Sequence, residues 1–600
     1  MCLGSDVLVK VCKQLTTLNY YVYLCTVMKK IGITLLAILT VLAPQVQAQD
    51  RALAKRAAAK HNLEVAKNMD IFTQVYKNLD RFYVDTLNPS EVIGTGIKAM
   101  LRQLDPYTEY YPESETNNLK MMLTGKYAGI GALVRYHLVQ KNVVIDEPYE
   151  GMPAAEVGLK KGDIILSIDD SVMTDREVSY VSSRLRGDAG TQFVLRIRRP
   201  STGKTMDFKI TRRSIKLPEL PYYGIVNQHG AASDDGGKIG YINLNQFTEG
   251  CSKDVRRAFI DLKKQGITAL IFDLRGNGGG SEMEAVDIVN LWVDKEQTIV
   301  ENRGKISQAN HAYKTRLEPV DTQMPLVVLV NGETASASEI TSGALQDLDR
   351  AVVLGTRTYG KGLVQIPLDM PYNTNLKLTT SKYYIPSGRC IQAINYRRGG
   401  TGGYRERVAD SLTHVFHTAA GREVRDGGGI TPDVEIKNDT IPNIAFYLSV
   451  SGQDSTEVMF DWVVNYISRH PTIAPAREFH LTDDEFNDFK QHVIKSGFSY
   501  DPVSKKQLDE LKKTAKAEGY YEQASEAFDL LESKLRHDVA TDLDKHDAML
   551  RQMLEMEIVT AYYYQAGSIE AGLQYDKQLK EAVRLLQSPE EYKNLLTPKQ

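Results

Sequence analysis

Residues 325–348 read PLVVLVNGETASASEITSGALQDL, and this stretch decides the architecture of the chain. An apolar run that stops at Asn331-Gly332 and restarts as a run of small residues predicts a strand, a tight turn and a helix. Ser336 then stands at or just before the helix N-terminus. The helix dipole favours negative charge there, and the free N–H groups of a first turn stabilise an alkoxide or a tetrahedral oxyanion. Ala335 and Ala337 on either side leave the approach to the hydroxyl open.

Working outward, residues 355–365 read GTRTYGKGLVQ. A serine hydroxyl needs a base to become a nucleophile, and Lys361 is the candidate. The glycines around it let backbone pack close, strip water from the ammonium and lower its pKa from the ordinary value of about 10.4 toward roughly 7–8. Gln365 is expected to hold Lys361 without adding charge. Taken alone, the Ser-Ala run also reads as an ordinary N-cap. The Gly-Lys run also comes close to a phosphate-binding loop, but Gly362 stands where that loop requires a Mg²⁺-binding Ser or Thr, so nucleotide is not expected.

With 25 positions from Ser336 to Lys361, the Thr-Ala-Ser-Ala-Ser-Glu-Ile and Gly-Lys-Gly-Leu-Val-Gln segments together resemble the Ser/Lys C-terminal processing peptidases, or tail-specific proteases. Those enzymes usually carry Ser where this chain has Thr334, a change that does not touch the nucleophile position. Residues 269–280, ALIFDLRGNGGG, are similar to a second segment of the same family. The resemblance implies that Gly279 and Ala337 supply the two oxyanion N–H groups, with Gly280 the alternate. On its own a Gly-rich strand-to-helix loop also reads as a phosphate cradle or a tight turn. The fold implied is multidomain α/β: a ClpP/crotonase-like peptidase core of ββα type with an inserted PDZ domain, a helical N-terminal segment and a helical C-terminal region.

The insertion has its own signature. Residues 125–132, GKYAGIGA, and 153–169, PAAEVGLKKGDIILSID, resemble a PDZ domain. Gly129, Ile130 and Gly131 would present N–H groups to a peptide carboxylate while a strand edge pairs with the peptide by β-augmentation. The alternative is a PDZ fold serving only as a brace.

The chain has 600 residues and a formal net charge of −3, which predicts several domains and gives no electrostatic case for nucleic acid. Met28-Lys29-Lys30, the apolar residues 31–43 and Val46-Gln47-Ala48 have the three regions of a secretory signal peptide cleaved after Ala48. Residues 1–27 then read as upstream translation, and an uncleaved membrane anchor starting near Leu18 is the alternative. Cys2, Cys12 and Cys25 would leave with the leader. Cys251 and Cys390 are far apart in sequence and are expected as free thiols. No cofactor and no metal site is expected, and His414 and His417 read as surface residues.

The expected organisation is a helical segment at 50–120, a PDZ domain at 121–212, a peptidase core at 213–437 and a helical region of unknown role at 438–600. The function this implies is an exported, periplasmic serine endopeptidase. It would bind the free C-termini of protein or peptide substrates and cleave by a Ser336/Lys361 acyl-enzyme route, with homo-oligomerisation left open. Two alternatives stand beside it: a secreted PDZ adaptor with an inactive protease fold, and a hydrolase whose base is a histidine such as His311.

Overall fold

The computed structural model describes residues 58–116, 126–216, 218–226, 237–394, 408–437, 440–449, 457–500, 503–535 and 538–598, with Arg56 and Tyr396. The expectations placed on residues 1–48, including the export signal and three cysteines, lie outside the described residues. Two compact units are present, Met1–Ile97 and Lys98–Gln600. In the first, residues 58–82 are helical and carry Leu63, Phe72 and Phe82 exposed.

In the second unit the strand of the opening stretch, Leu326–Val330, lies inside a six-stranded sheet. The order is Tyr222–Ile225, Lys238–Asn243, Ile267–Asp273, Leu326–Val330, Val352–Gly355 and Val434–Glu435, parallel after the first pair. Parallel strands are apolar throughout when both faces are covered, and here they are. Leu326, Val328 and Val330 share a core with the helices Cys251–Lys264, Glu282–Val289 and Ala337–Asp347. Val327 and Leu329 face the other way, into a core with Leu579, Ala582 and Leu585 of the helix Lys577–Leu586 and Tyr592 of the helix Pro589–Leu595. The layer on that face therefore comes from far beyond residue 437. Two polar ties fasten it: the Tyr592 hydroxyl donates to Leu326 O (3.0 Å) and accepts from Leu326 N (2.9 Å), and Arg275 meets Asp576 at 2.5 Å.

A second, antiparallel sheet joins Glu109–Tyr111, Thr374–Tyr384, Thr298–Gly304 and His311–Lys314, with Leu363–Met370 also paired to Thr374–Tyr384. It brings the segment after Lys361 beside the residues that follow Asp105.

The PDZ domain is an antiparallel sheet of Ala132–His137, Asn142–Pro148, Ile164–Ile168, Gln192–Arg198 and Thr205–Thr211, with the helix Val178–Leu185 sharing its core. Ala132–His137 is an edge strand. The domain rests on the C-terminal helices: Val144 and Ile164 pack with Phe460 and Val464 of the helix Val458–Arg469. Around this apolar contact Arg135 pairs with Glu457 (2.6 Å) and Lys161 with Glu557 (2.9 Å). Gly162, at φ +89°, has no room for a Cβ, which would meet Val464 at 2.6 Å.

Candidate active site

Ser336 is the N-cap of the helix Ala337–Asp347, with φ 58° and ψ −117°. For a residue with a Cβ such a backbone costs on the order of 1–3 kcal/mol and persists only where its surroundings impose it. The surroundings are a dense set of turn bonds. Asn331 Oδ1 accepts from the N–H groups of Glu333 (3.1 Å), Thr334 (3.2 Å) and, across the site, Gly276 (3.0 Å). Thr334 Oγ1 donates to Leu274 O at 2.9 Å, so threonine at this position brings a buried hydroxyl that ties the Ser336 turn to the Gly-rich loop. Ser338 Oγ and Ala335 N both donate to Asn277 O, at 2.9 and 3.0 Å.

The Gly-rich loop lies directly against Ser336. A Cβ on Gly279 would stand 2.8 Å from Ser336 Cβ and 2.9 Å from Ala337 N, and φ there is +95°. Ala337 N–H, at the first helical position, donates to no group among the described residues. Gly279 N–H does have an acceptor, Asn277 Oδ1 at 2.8 Å, whereas the N–H of exposed Gly280 has none among the described residues. Among the described residues the unoccupied donors of the two segments are those of Ala337 and of Gly280, the alternate, and Gly279 N–H must first leave Asn277 to join them.

Lys361 is half-buried, and its pKa is pulled down to about 8 by that burial and by the positive charge of Lys377, against the opposing pull of Glu339, Asp105 and Glu109. Its ammonium lies over the ring of Tyr107, 4.6 Å from the centroid. Tyr107 is placed by an Asp-Pro turn: buried Asp105 accepts from Tyr107 N (2.8 Å), Thr108 N (2.7 Å) and Thr108 Oγ1 (3.0 Å). No hydrogen bond joins Lys361 Nζ to Ser336 Oγ, so the structure brings the two loops together and leaves the amine on the tyrosine. No hydrogen bond joins Gln365 to Lys361, and its Nε2 donates to Thr379 Oγ1 at 3.1 Å. His311 is exposed, packs edge-on against Tyr313 and makes no hydrogen bond to Ser336.

Two residues that sequence reasoning did not single out join the loops from below. Fully buried Glu339 accepts from Ser336 N (3.0 Å), Lys361 N (2.8 Å), Gly360 N (2.7 Å) and Thr358 Oγ1 (2.5 Å). The Tyr383 hydroxyl donates to Lys361 O (2.6 Å) and lies 3.3 Å from Ser336 O. The Ser-x-x-Glu spacing of a capping box was a readable signal for the first. No local pattern announces the second.

In the PDZ loop the N–H groups of Ile130 and Gly131 donate to nothing among the described residues, while their carbonyls accept from Ala154 and Tyr149. Gly131, at φ +69°, has Met152 Cβ only 2.4 Å from where its own Cβ would be, so no larger residue fits. Cys251 and Cys390 are both free. His414 is exposed just before the strand Val415–His417 and meets Asp426 at 3.1 Å.

Comparison with known proteins places likenesses along most of the chain. Residues 238–397 match peptidase family S41, residues 144–199 match a PDZ domain, and residues 447–586 match the C-terminal helical domain of a "Probable PDZ-protease". The chain is 31% identical over 347 residues to the carboxy-terminal-processing protease of Bartonella bacilliformis, covering 57% of this chain and 76% of that protein. It is also 31% identical over 328 residues to a "Probable CtpA-like serine protease" of Staphylococcus aureus, covering 54% of this chain and 62% of that protein. A solved photosystem II D1 C-terminal processing protease matches at 26% identity with a TM-score of 0.35, over 62% of this chain and 88% of that one.

Proposed function

The chain belongs to the carboxy-terminal-processing proteases, serine peptidases of family S41 with a PDZ domain, and on that premise we propose that Ser336 is its nucleophile and Lys361 its base. The observation that carries the assignment is the pair of opposed environments. A serine held in a left-handed backbone at a helix N-terminus faces a loop whose lysine has been desolvated until it can lose its proton near neutral pH. Lys361 Nζ leaves the Tyr107 ring and takes the hydroxyl proton as Ser336 Oγ adds to the substrate carbonyl. The oxyanion is met by Ala337 N–H and one donor of the Gly279-Gly280 turn. Lys361 returns the proton to the departing amine, and water releases the acyl group by the same route in reverse. Gln365, whose Nε2 donates to Thr379 Oγ1, would orient Lys361 through the other end of its amide, Oε1 accepting from Nζ.

The substrate end is a free C-terminus. Unoccupied N–H groups at Ile130 and Gly131 beside an open strand edge suit a terminal carboxylate and an added strand. The Lys-Lys, apolar and Val-Gln-Ala regions of residues 28–48 support export to the periplasm, with a mature protein starting at Gln49. An uncleaved membrane anchor is the alternative, and N-terminal sequencing separates the two. The exposed apolar side chains of residues 58–82 favour self-association, which light scattering would read.

Ser336→Ala, Lys361→Ala and Lys361→Arg should each remain folded and lose peptide cleavage, the last because a guanidinium stays protonated. Near-normal turnover in any of them refutes the assignment. Amidating the C-terminus of a substrate should weaken cleavage by the full chain, and equal cleavage of both forms refutes tail recognition.

A further inference from the structure

The carboxylate of Glu339 is arranged in a way that ordinary helix capping does not require. Its Oε2 accepts from Ser336 N and Lys361 N together, and Oε1 from Gly360 N and Thr358 Oγ1. A capping glutamate closes one bond to its own N-cap; this one spans to a second loop and holds the nucleophile and the base on a single oxygen. No cation is paired with it at salt-bridge distance among the described residues, so a bare carboxylate is buried on hydrogen bonds alone, a costly choice unless its chemistry is needed. That chemistry is the lone-pair count. Four donors converge on the group, and only an ionised carboxylate presents acceptors on both oxygens with no hydrogen of its own. Glutamine has the same shape but would push an NH₂ against two of the converging donors.

We infer that Glu339 is a positioning residue for cleavage: through Oε2 it fixes the register between the Ser336 turn and the Lys361 loop, and it does so fully only when ionised. The inference rests on the assignment of Ser336 and Lys361 as nucleophile and base. Tyr383 acts from the carbonyl side of the same two residues, so the loops are strapped at both edges of the backbone. Burial raises the Glu339 pKa to about 7 in spite of four bonds that lower it. The titratable groups facing it are Lys361 from the adjoining loop and the Tyr383 phenol from the strand Thr374–Tyr384, and Tyr383 in turn feels Cys390, Glu282 and Tyr107. As pH falls through about 7, a proton on Glu339 removes one acceptor from the strap, below the point at which Lys361 has already become charged. Activity therefore needs both groups deprotonated, and the acid side of the profile should fall with two protons.

The test measures kcat, KM and fluorophosphonate labelling of Ser336 across the acid limb for wild type, Lys361→Ala, Glu339→Gln and Thr358→Val. Glu339→Gln should lower kcat about 10–100-fold with KM within about twofold, and its acid limb should lose one proton. Thr358→Val keeps the carboxylate but deletes a bond that lowers its pKa, so its acid limb should move to higher pH. A folded Glu339→Gln with wild-type kcat, or with an unchanged two-proton limb, overturns the inference. If Glu339→Gln does not fold, an unmoved acid limb in Thr358→Val overturns it in the same way. Wild-type cleavage by Lys361→Ala would bring down the base assignment and this inference with it. An inert Lys361→Ala beside an unaffected Glu339→Gln removes the inference alone.

Discussion

Lys361 is charged in the unfolded chain up to its ordinary pKa of 10.5, whereas in the folded protein burial makes it release the proton at about 8. Between those values the unfolded state binds more protons, so this group's contribution to stability rises with pH across the window and its full cost is present at pH 7. The shift corresponds to roughly 3 kcal/mol as an upper bound. Lys361→Met, which keeps the volume and drops the charge, should therefore be inactive and more stable than wild type by about 1–3 kcal/mol at pH 7, the gain vanishing toward pH 10. Urea unfolding of the two proteins at both pH values checks it, and a less stable variant at pH 7 contradicts the account. Ser336 and Lys361 stand out in the sequence because each lies in a local motif whose chemistry needs that residue type. Tyr107 was not: Asp105-Pro106 announces a turn, but nothing in the sequence says that the turn sets a ring against a lysine more than 250 positions away.

At the scale of elements, strand, turn and helix around residues 325–348 form as their pattern predicts, because apolar run, Asn-Gly turn and N-cap are all local signals. Gln365 shows where local signals end. Its partner is Thr379, directly across the ladder between Leu363–Met370 and Thr374–Tyr384, and that register is a property of the paired strands. The Gly-rich loop offers a sharp test of which glycines the site needs. At Gly279 a Cβ would stand 2.6 Å from Ala335 O and 2.8 Å from Ser336 Cβ with φ at +95°, whereas at Gly278 it would meet nothing within 4 Å. Gly279→Ala should cost about 2 kcal/mol or more and reduce kcat at least about 100-fold, while Gly278→Ala should stay within about 1 kcal/mol of wild type. Thermal melts and single-turnover assays of the pair decide it, and equal behaviour of the two variants removes the packing argument.

For the molecule as a whole, the helices at 577–595 are part of the peptidase core in every respect except sequence position. Their amphipathic pattern was readable, but not the face they cover, since Leu579 and Val327 meet only in three dimensions. Burying Leu579, Leu585 and Leu586 is worth about 1.5–3 kcal/mol each, a large part of a typical stability of about 5–15 kcal/mol. A chain stopped after Gly572 should fail to fold stably around Ser336 although every motif residue is present. Far-UV circular dichroism and size exclusion read this, and a monomeric, active truncation would contradict it. The PDZ domain leans on an earlier helix of the same C-terminal region, Val458–Arg469, through Phe460 and Val464, so the region as a whole packs against both the PDZ domain and the peptidase sheet.

That late layer also imposes an order in time. A ribosome builds from the N-terminus, so Ser336 and Lys361 are synthesised long before the residues that cover the back of their sheet. Until those residues emerge, the strand that leads to Ser336 has one bare apolar face, and Leu326 lacks the phenol that caps both of its backbone groups. The sheet that carries Ser336 is therefore expected to close only once residues 577–595 have left the ribosome.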